Sequence, residues 1–310
     1  MASVYPDSVT ERFVGTGVAL VTPFKHDGSI DFAALHTLID HVIDGGVEYV
    51  VSMGTTGEAA TLTEEERFSI IDATIAHVNG RVPVVGGFGG NDTRAIIGSI
   101  AKYRAHRAGK KDIDAILIAS PYYNKPSQEG IYQHYLEIDK HVHLPVILYN
   151  VPGRTASNME AATTVRIARD AEHVIAIKEA SGNFGQCMQI IRDAPEGFLV
   201  ISGDDAFTMP FISMGMQGVI SVVANAYPRP FSDMVRLSLE HKFTGAQVIH
   251  YKLLEFTDLI FKEGSPAGVK AALKDMNICS DTVRLPLWNV SEGLAKKIVA
   301  CKQDIEDSKD

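Results

Sequence analysis

Cysteine is scarce in this chain of 310 residues, and its cysteines do not suggest a disulfide framework. Cys187, Cys279 and Cys301 form no CxxC pair, and three cysteines cannot all pair within one chain, so a reducing compartment is favoured. The first residues have neither the basic start nor the apolar stretch of a signal peptide. No apolar run reaches the ~20 residues that a membrane-spanning helix needs. We therefore expect a cytoplasmic protein without a membrane partner.

The chain has fewer basic than acidic residues, so its net charge at pH 7 is -9. No basic patch interleaved with aromatic residues is present, so we do not expect nucleic-acid binding. Low-complexity tracts are absent, and 45% apolar with 22% charged residues is the composition of a globular protein. The negative field would repel acidic substrates, so local donors would have to capture any carboxylate.

Metal and cofactor motifs are missing as well. No HExxH motif or carboxylate cluster in the sequence supports a metal site. His141-x-His143 precedes a strand-like run, which would place it at the end of a barrel opposite to the active site. Gly86-Gly-Phe-Gly-Gly90 is a poor match to the GxGxxG fingerprint of dinucleotide-binding folds. The sequence therefore predicts neither a metal ion nor a cofactor.

What the chain does contain is an alternation of short apolar runs with amphipathic helical patterns. The predicted strands are Gly15–Thr22, Tyr49–Gly54, Pro83–Gly89, Ala115–Ser120, Pro145–Asn150, Val174–Ala180, Leu199–Asp205 and Gly218–Asn225. Continuous apolar strands alternating with helices indicate a parallel sheet covered on both faces. Eight such units over about 225 residues fit a (β/α)8 TIM barrel, with a doubly wound open sheet as the alternative. Thr63-Glu-Glu-Glu66 resembles a capping box that opens the second helix.

The pattern changes after Asn225, where helical patterns follow one another without strands. They cover Pro228–Leu239, Thr244–Phe261, Pro266–Asp275 and Ser291–Cys301. The first would complete the barrel, so we predict a catalytic barrel over residues 12–241 and a C-terminal helical region over residues 242–310. The acidic tail Asp304–Asp310 is expected to fray.

A lysine inside an apolar run is the most informative feature of the sequence. Lys178 directly follows the run Val174–Ile177. Burial disfavours an ammonium ion and favours a neutral amine, which can attack a carbonyl group. This is the requirement for Schiff-base chemistry, so the sequence predicts a lysine-dependent aldolase or lyase. Simple pairing of Lys178 with Glu179 at a strand end is the alternative.

Other polar residues follow the predicted strands, at the barrel end where catalytic residues gather. They include Thr55 and Thr56 after the second strand, Tyr123 after the fourth, and Tyr149 and Arg154 at and after the fifth. Each has a plainer interpretation. A tyrosine is more often a core or rim aromatic, an arginine can be a solvated loop charge, and a threonine pair between glycines can be a turn or an anion nest.

Three segments together resemble the dihydrodipicolinate synthase/N-acetylneuraminate lyase family, and its synthase branch above all. They are Gly54-Thr-Thr-Gly-Glu58, Tyr149-Asn-Val-Pro-Gly-Arg154 and Ile177-Lys-Glu-Ala-Ser181, within a resemblance that runs from about Gly15 to Leu287. It implies an enzyme that condenses pyruvate with L-aspartate 4-semialdehyde to 4-hydroxy-tetrahydrodipicolinate, in diaminopimelate and lysine biosynthesis. It also implies a homotetramer built as a dimer of tight dimers.

The resemblance implies catalytic roles for four residues. Lys178 would form the imine with pyruvate, and Tyr149 would act as general acid and base. Thr55 and Tyr123 would complete a proton relay with Tyr149. In this family the equivalent of Tyr123 reaches across the tight dimer interface, so it would serve the neighbouring subunit.

Four further residues would bind the substrates. Thr56 would hold the pyruvate carboxylate, and Gly203 and Ile220 would contribute main-chain contacts. Arg154 would bind the carboxylate of aspartate semialdehyde. Sialic-acid lyases typically lack this arginine, so it favours synthase chemistry over a sialate or keto-sugar-acid lyase. A non-catalytic pyruvate sensor is the other alternative, and the joint presence of Tyr149 and Thr55 with Lys178 argues against it.

The sequence departs from lysine-inhibited members of the family at their regulatory pocket. Glu64 and Arg67 stand where sensitive enzymes often have histidines, and Ala95 stands where they commonly have a glutamate that holds the lysine ammonium. Asn91 and Tyr122 match. The resemblance therefore implies weak or absent feedback inhibition by L-lysine.

Overall fold

The chain folds into a closed barrel of eight parallel strands, which a computed structural model describes for residues 6–307. The strands follow one another around the barrel in sequence order. They are β1 (Gly15–Ala19), β2 (Tyr49–Ser52), β3 (Val84–Gly87), β4 (Ala115–Ala119), β5 (Val146–Asn150), β6 (Val174–Glu179), β7 (Leu199–Ser202) and β8 (Gly218–Ser221). The predicted TIM barrel is confirmed, and the open-sheet alternative is wrong because β1 pairs with β8.

Helices separate the strands and cover the barrel. They are α1 (Asp7–Thr10), α2 (Phe32–Asp44), α3 (Glu64–Val78), α4 (Thr93–Arg107), α5 (Gln128–Asp139), α6 (Pro152–Thr155), α7 (Ala161–Asp170), α8 (Phe184–Asp193), α9 (Thr208–Ser213), α10 (Pro228–Leu239), α11 (Phe243–Phe261), α12 (Ala267–Asp275) and α13 (Glu292–Asp307). The capping box at α3 is confirmed, because the Thr63 hydroxyl accepts from the Glu66 N–H and the Glu66 carboxylate accepts from the Thr63 N–H. Between residues 6 and 307, no helix is long and apolar enough to cross a membrane.

The barrel interior is filled by apolar side chains that alternate with outward-facing ones along each strand. Val51, Val85 and Ile147 belong to this interior cluster. The Tyr49 ring lies inside the barrel at the end where the strands begin. It packs so closely on β1 that a Cβ atom at Gly17 would lie 2.2 Å from it. Tyr49 therefore packs tightly against β1 at the closed end of the barrel.

The C-terminal region packs as helices against the outside of the barrel and against one another. The α10 helix packs on β1 and α11, and α13 packs on α11 and α12. The expected fraying from residue 304 is wrong as far as Asp307, because Ile298, Cys301 and Ile305 form a buried stripe that continues the helix. Residues 308–310 of that expectation lie outside the described residues.

Candidate active site

Lys178 lies near the end of β6, with its side chain inside the barrel and only 6% of the residue exposed. It is the register partner of Tyr149 on β5, and its Nζ lies 4.4 Å from the centre of the Tyr149 ring. Among residues 6–307, no side chain pairs or hydrogen-bonds with this amine. The nitrogen is therefore available to bond to a carbonyl carbon, as a Schiff-base lysine requires.

Glu179 faces the opposite side of β6, because successive side chains of a strand alternate. Its carboxylate accepts hydrogen bonds from Asn150 Nδ2 at 3.0 Å, Ser181 N at 2.7 Å and Gln186 Nε2 at 3.1 Å. Burial raises the pKa of this carboxyl group, and the hydrogen bonds oppose the rise. The alternative of a Lys178–Glu179 pair is therefore wrong.

Gly203 follows β7 and makes room for the stem of Lys178. A Cβ atom at this position would lie 3.0 Å from Lys178 Cε and 2.6 Å from Ala180 Cβ, so a larger residue would displace the lysine. The Gly203 N–H already donates to the Glu179 carbonyl at 2.8 Å. A main-chain contact of Gly203 with a substrate would therefore use its carbonyl oxygen.

Ile220 lies in the middle of β8 and belongs to the interior cluster of the barrel. It is 1% exposed and pairs in register with Gly17 on β1. The resemblance implied that the main chain of Ile220 contacts a substrate. In the structure, that main chain is part of the barrel wall.

Thr55 and Thr56 lie in a 3-10 turn, Thr55–Gly57, that begins three residues after the end of β2. Thr55 is exposed, whereas Thr56 is buried. The Thr22 hydroxyl donates to the Gly57 carbonyl at 2.6 Å, and the Gly57 N–H donates to the Gly54 carbonyl at 3.0 Å. The pair therefore lies in a turn, and Thr55 lines the cavity at the mouth of the barrel, whereas the anion nest stays a prediction.

A cavity of about 580 Å³ opens at the mouth, the end of the barrel where the strands finish. This size suits a small-molecule site. Three of the predicted site residues line it, namely Thr55, Tyr149 and Arg154. Lys178 and Thr56 adjoin the lining, Lys178 through the Tyr149 ring and Thr56 through its neighbour Thr55. The structure therefore brings the amine of Lys178, a phenol, a hydroxyl and a guanidinium to one region at the mouth.

Tyr123, like Gly203 and Ile220, is a predicted site residue that does not line the cavity in the single chain. It is 84% exposed, and its backbone is in the left-handed region with a φ of 72°. Its N–H donates to the Thr155 carbonyl at 3.3 Å. The adjacent Tyr122 lines the cavity instead. The expected contribution of Tyr123 to a neighbouring subunit stays a prediction.

Arg154 lies on α6, the short helix that begins two residues after β5. Pro152 stands at its first turn, where a missing N–H costs nothing. The guanidinium is exposed, lines the cavity, and has no acidic partner in the part of the chain that the structure describes. An unpaired arginine beside a cavity suits a carboxylate ligand, which it can bind with two parallel hydrogen bonds.

The two histidines that could suggest a metal each contact one carboxylate at the far end of the barrel. His141 Nε2 lies 3.3 Å from Glu137 Oε1, and His143 Nε2 lies 3.4 Å from Asp112 Oδ2. No group of three or more metal-ligating side chains occurs within residues 6–307.

Sequence reasoning did not foresee the part that the C-terminal region plays at the cavity. Ser265, Pro286 and Leu287 line it, although they belong to the region predicted as an appendage. Lys270 contacts Glu58, the last residue of the Gly54–Glu58 segment. One signal was present, since Lys270 lies in an apolar run as Lys178 does.

Comparison with known proteins agrees with this geometry. A 4-hydroxy-tetrahydrodipicolinate synthase of Flavobacterium psychrophilum is 49% identical over 93% of this chain and 97% of its own. A solved structure of a chloride-inhibited dihydrodipicolinate synthase from Acinetobacter baumannii, complexed with pyruvate, is 35% identical and superposes with a TM-score of 0.90 over 94% of this chain and 99% of its own. A structure described as a monomeric dihydrodipicolinate synthase variant is 34% identical, with a TM-score of 0.91 over 96% and 98% of the two chains. The model of the Dihydrodipicolinate synthetase family matches residues 12–304, and the chain belongs to that family.

Proposed function

We propose that this protein is a class I aldolase-type lyase that condenses pyruvate with L-aspartate 4-semialdehyde to 4-hydroxy-tetrahydrodipicolinate, a step of diaminopimelate and lysine biosynthesis. The observation that carries the proposal is the buried, unpaired amine of Lys178 next to Tyr149 at the cavity. The shared name of the curated relatives supports the choice of reaction.

The reaction begins when Lys178 Nζ attacks the keto carbon of pyruvate and water leaves, which gives an imine. The protonated imine withdraws electrons, so loss of a methyl proton gives an enamine. Its terminal carbon bonds to the aldehyde carbon of the second substrate, whose oxygen takes up a proton. The amine of that substrate then attacks the imine carbon, closes the ring and releases Lys178. Because the imine itself stores the electron pair, the cycle needs no cofactor.

Each of these steps moves a proton, and the proposed carriers are Tyr149, Thr55 and Tyr123. A phenol beside the lysine can protonate the departing hydroxyl during imine formation and take the proton back later. Thr55 lines the same cavity and would pass protons between the phenols. Tyr123 would enter from a neighbouring subunit, which agrees with its high exposure in the single chain.

The substrates carry carboxylates, and Thr56 and Arg154 would supply the donors that bind them in a protein whose net charge is negative. Thr56 would hold the pyruvate carboxylate, with main-chain contacts from Gly203 and Ile220. Arg154 would bind the carboxylate of aspartate semialdehyde, and its unpaired guanidinium at the cavity supports this role.

We further propose a homotetramer made of two tight dimers, because the relay is complete only when a partner supplies Tyr123. A related structure is described as a monomeric variant, so sedimentation of the purified protein should be used to measure the oligomeric state.

We also propose that the protein works in the cytoplasm, where the free thiols of Cys187, Cys279 and Cys301 would stay reduced. The division into a catalytic barrel over residues 12–241 and a C-terminal region over residues 242–310 stays a proposal, and the boundary falls between α10 and α11.

The decisive experiment traps the imine. The protein is incubated with pyruvate and borohydride, digested, and mapped by mass spectrometry, while turnover is measured with aspartate semialdehyde. We expect the three-carbon adduct on Lys178 and turnover that requires both substrates. Labelling of another lysine, or no labelling, would refute the mechanism.

Arg154→Ala separates the synthase from a sialate or keto-sugar-acid lyase. Loss of a charged hydrogen bond to the second substrate should lower kcat/KM for aspartate semialdehyde by roughly 10- to 100-fold and leave pyruvate trapping intact. A lyase would cleave its sugar acid and be indifferent to the substitution. A pyruvate sensor would trap pyruvate but turn over neither substrate.

A further inference from the structure

Glu58 is a buried carboxylate that joins the mouth of the barrel to the C-terminal region. Its side chain is fully buried, and Oε1 accepts a hydrogen bond from Lys270 Nζ at 2.5 Å. Its Oε2 accepts a second bond from the Arg284 N–H at 2.9 Å. These partners lie 212 and 226 residues further along the chain, so the contact crosses the whole fold.

Lys270 has the partners that Lys178 lacks. It lies on α12, is completely buried, and donates to the Thr282 carbonyl at 2.8 Å as well as to Glu58. Its Nζ also lies 4.4 Å from the centre of the Phe24 ring. A buried ammonium persists when it is paired in this way. Lys270 is therefore a fixed cation of the structure and not a second nucleophile.

Arg284 extends the same anchor to the start of α3. Its guanidinium donates to the two oxygens of the Glu66 carboxylate at 2.6 and 2.8 Å and to the Thr61 carbonyl at 3.0 Å. This pairing holds the pKa of Glu66 at about 2, well below its usual value. The loop that follows the Thr55–Gly57 turn is thus attached to the C-terminal region at three points, which are Glu58, Thr61 and Glu66.

The backbone of Glu58 transmits this anchor to the turn. Its φ of 55° is in the left-handed region, which is uncommon for a residue other than glycine and persists where surrounding contacts fix it. The Glu58 N–H donates to the Thr55 carbonyl at 3.1 Å. The side-chain contacts of Glu58 therefore determine where the Thr55 hydroxyl and the neighbouring Thr56 lie.

We propose that Glu58 and Lys270 are positioning residues of the reaction, an inference that rests on the function proposed above. Their ion pair holds the Thr55–Gly57 turn at the distance from Tyr149 and Lys178 that proton transfer and carboxylate binding need. Neither residue has to touch the substrate. A displacement of about 1 Å in a reacting group can cost ~10²-fold in rate. Loss of the pair should therefore lower turnover although every catalytic residue remains.

Glu48, at the other end of β2, provides a matched control. Its Oε1 accepts from Arg236 Nη1 at 2.7 Å, and its Oε2 accepts from the Thr16 N–H at 2.6 Å. Like Glu58, it thus joins one cation and one backbone N–H next to β2. It differs in lying at the closed end of the barrel, away from the cavity.

The test compares Glu58→Gln with Glu48→Gln in the full chain. For each variant, kcat and KM for pyruvate, the rate of borohydride trapping and the urea midpoint of unfolding are measured. We expect Glu58→Gln to lower kcat/KM for pyruvate and the trapping rate by roughly 10- to 100-fold. Glu48→Gln should stay within about two-fold of the parent in both, since its contacts do not reach the turn.

The double variant Glu58→Gln/Lys270→Met separates positioning from stability. The single Glu58 variant leaves a buried ammonium unpaired, and removal of that charge should return the urea midpoint towards the parent value. Turnover should remain low, because the turn has lost its anchor. Recovery of turnover together with stability, or a Glu58→Gln variant with parental kinetics, would overturn the positioning role. If the parent itself traps no pyruvate, the proposed function fails instead.

Discussion

The two ends of the barrel use their polar side chains in opposite ways. At the closed end, carboxylates and one amide accept hydrogen bonds from backbone N–H groups where strands begin. The pairs are Glu48 with Thr16, Asp114 with Val84, Asp139 with His173, and Gln217 with Val200, at 2.6 to 2.9 Å. These contacts satisfy main-chain groups that would otherwise be buried without a partner.

At the mouth, Thr55, Tyr149 and Arg154 line a cavity, and the backbone is strained. Five residues other than glycine have left-handed backbones in or beside the loops after β2, β4 and β5, namely Met53, Glu58, Tyr123, Lys125 and Ala156. Such conformations cost free energy and cluster at functional sites. Arg154 and Lys178 have no acidic partner within residues 6–307. The closed end thus serves stability, whereas the mouth keeps groups available for substrates.

The strongest test of this contrast is Lys178→Ala. The variant should lose the borohydride-trapped adduct and all turnover above background, because the amine beside the Tyr149 ring is removed. Its stability should be unchanged or higher, since a buried polar group without a partner is removed. Peptide mass mapping and a urea titration check the two outcomes. Lys140→Ala, an exposed lysine paired with Glu137 at the closed end, is the control and should trap as the parent does.

Tyr149→Phe is expected to have the next largest effect. The variant keeps the ring beside Lys178 but loses the acidic hydrogen, so pyruvate should still bind while kcat falls by roughly 10²–10⁴-fold. Steady-state kinetics with both substrates measures this. Tyr132→Phe is the matched control, because that hydroxyl donates to Asp170 Oδ2 at 2.8 Å, between α5 and α7 on the outside of the barrel. Equal losses of kcat in both variants would argue against a proton-carrying role for Tyr149.

The strands and the catalytic residues could be predicted because both depend on local patterns. Eight apolar runs separated by helical patterns predict a barrel, and residues directly after strands must meet at its mouth. Predicted strand ends such as Thr22 and Asn225 extended beyond the pairing that the barrel makes, because apolar residues continue into the loops. Lys178 could be recognised since an ammonium ion is unusual in such a run.

The contacts of the C-terminal region could not be predicted in the same way. Lys270 shows the same local pattern as Lys178, yet one lysine is paired and the other is not, and only the fold decides which. The carboxylate of Glu58 meets it across 212 residues, a separation that no spacing rule covers. The prediction ended the last helix too early, because the segment from residue 304 was interpreted by its charge alone. Ile305 lies in that segment and continues the buried stripe of Ile298 and Cys301 as α13 extends to Asp307.

Asp139→Ala should lower the stability of the fold and leave the kinetics unchanged, which is the reverse of the effect expected for the variants at the mouth. The carboxylate accepts from the N–H groups of Glu172 and His173, both at 2.9 Å, just before β6 begins. Its removal should destabilise the fold by about 1–3 kcal/mol, because two part-buried N–H donors lose their acceptor. Both kcat and KM should stay at parental values at 25 °C. Urea unfolding and kinetics on the same preparation check this, and a large loss of kcat in the folded variant would break the division between the two ends.

The smallest effect is expected from L-lysine, although the pocket that it would occupy adjoins the mouth. A cavity of about 460 Å³ lies between α3 and α4, lined by Glu64, Arg67, Ala95 and Lys102 among others. Lys102 Nζ already pairs with Glu64 Oε1 at 2.8 Å, and Ala95 supplies no carboxylate for a second ammonium. Millimolar L-lysine should therefore leave the rate within about two-fold of the uninhibited value, since the two carboxylates that line the pocket already have partners: Glu64 pairs with Lys102, and Asp92 accepts from the Arg94 and Ala95 N–H groups at the start of α4. A dose–response titration measures this, and strong inhibition of the parent would contradict it.

Ala95→Glu introduces an acidic side chain into the same pocket and should increase the sensitivity of the rate to L-lysine. Ala95→Gln, of similar size and without charge, should not.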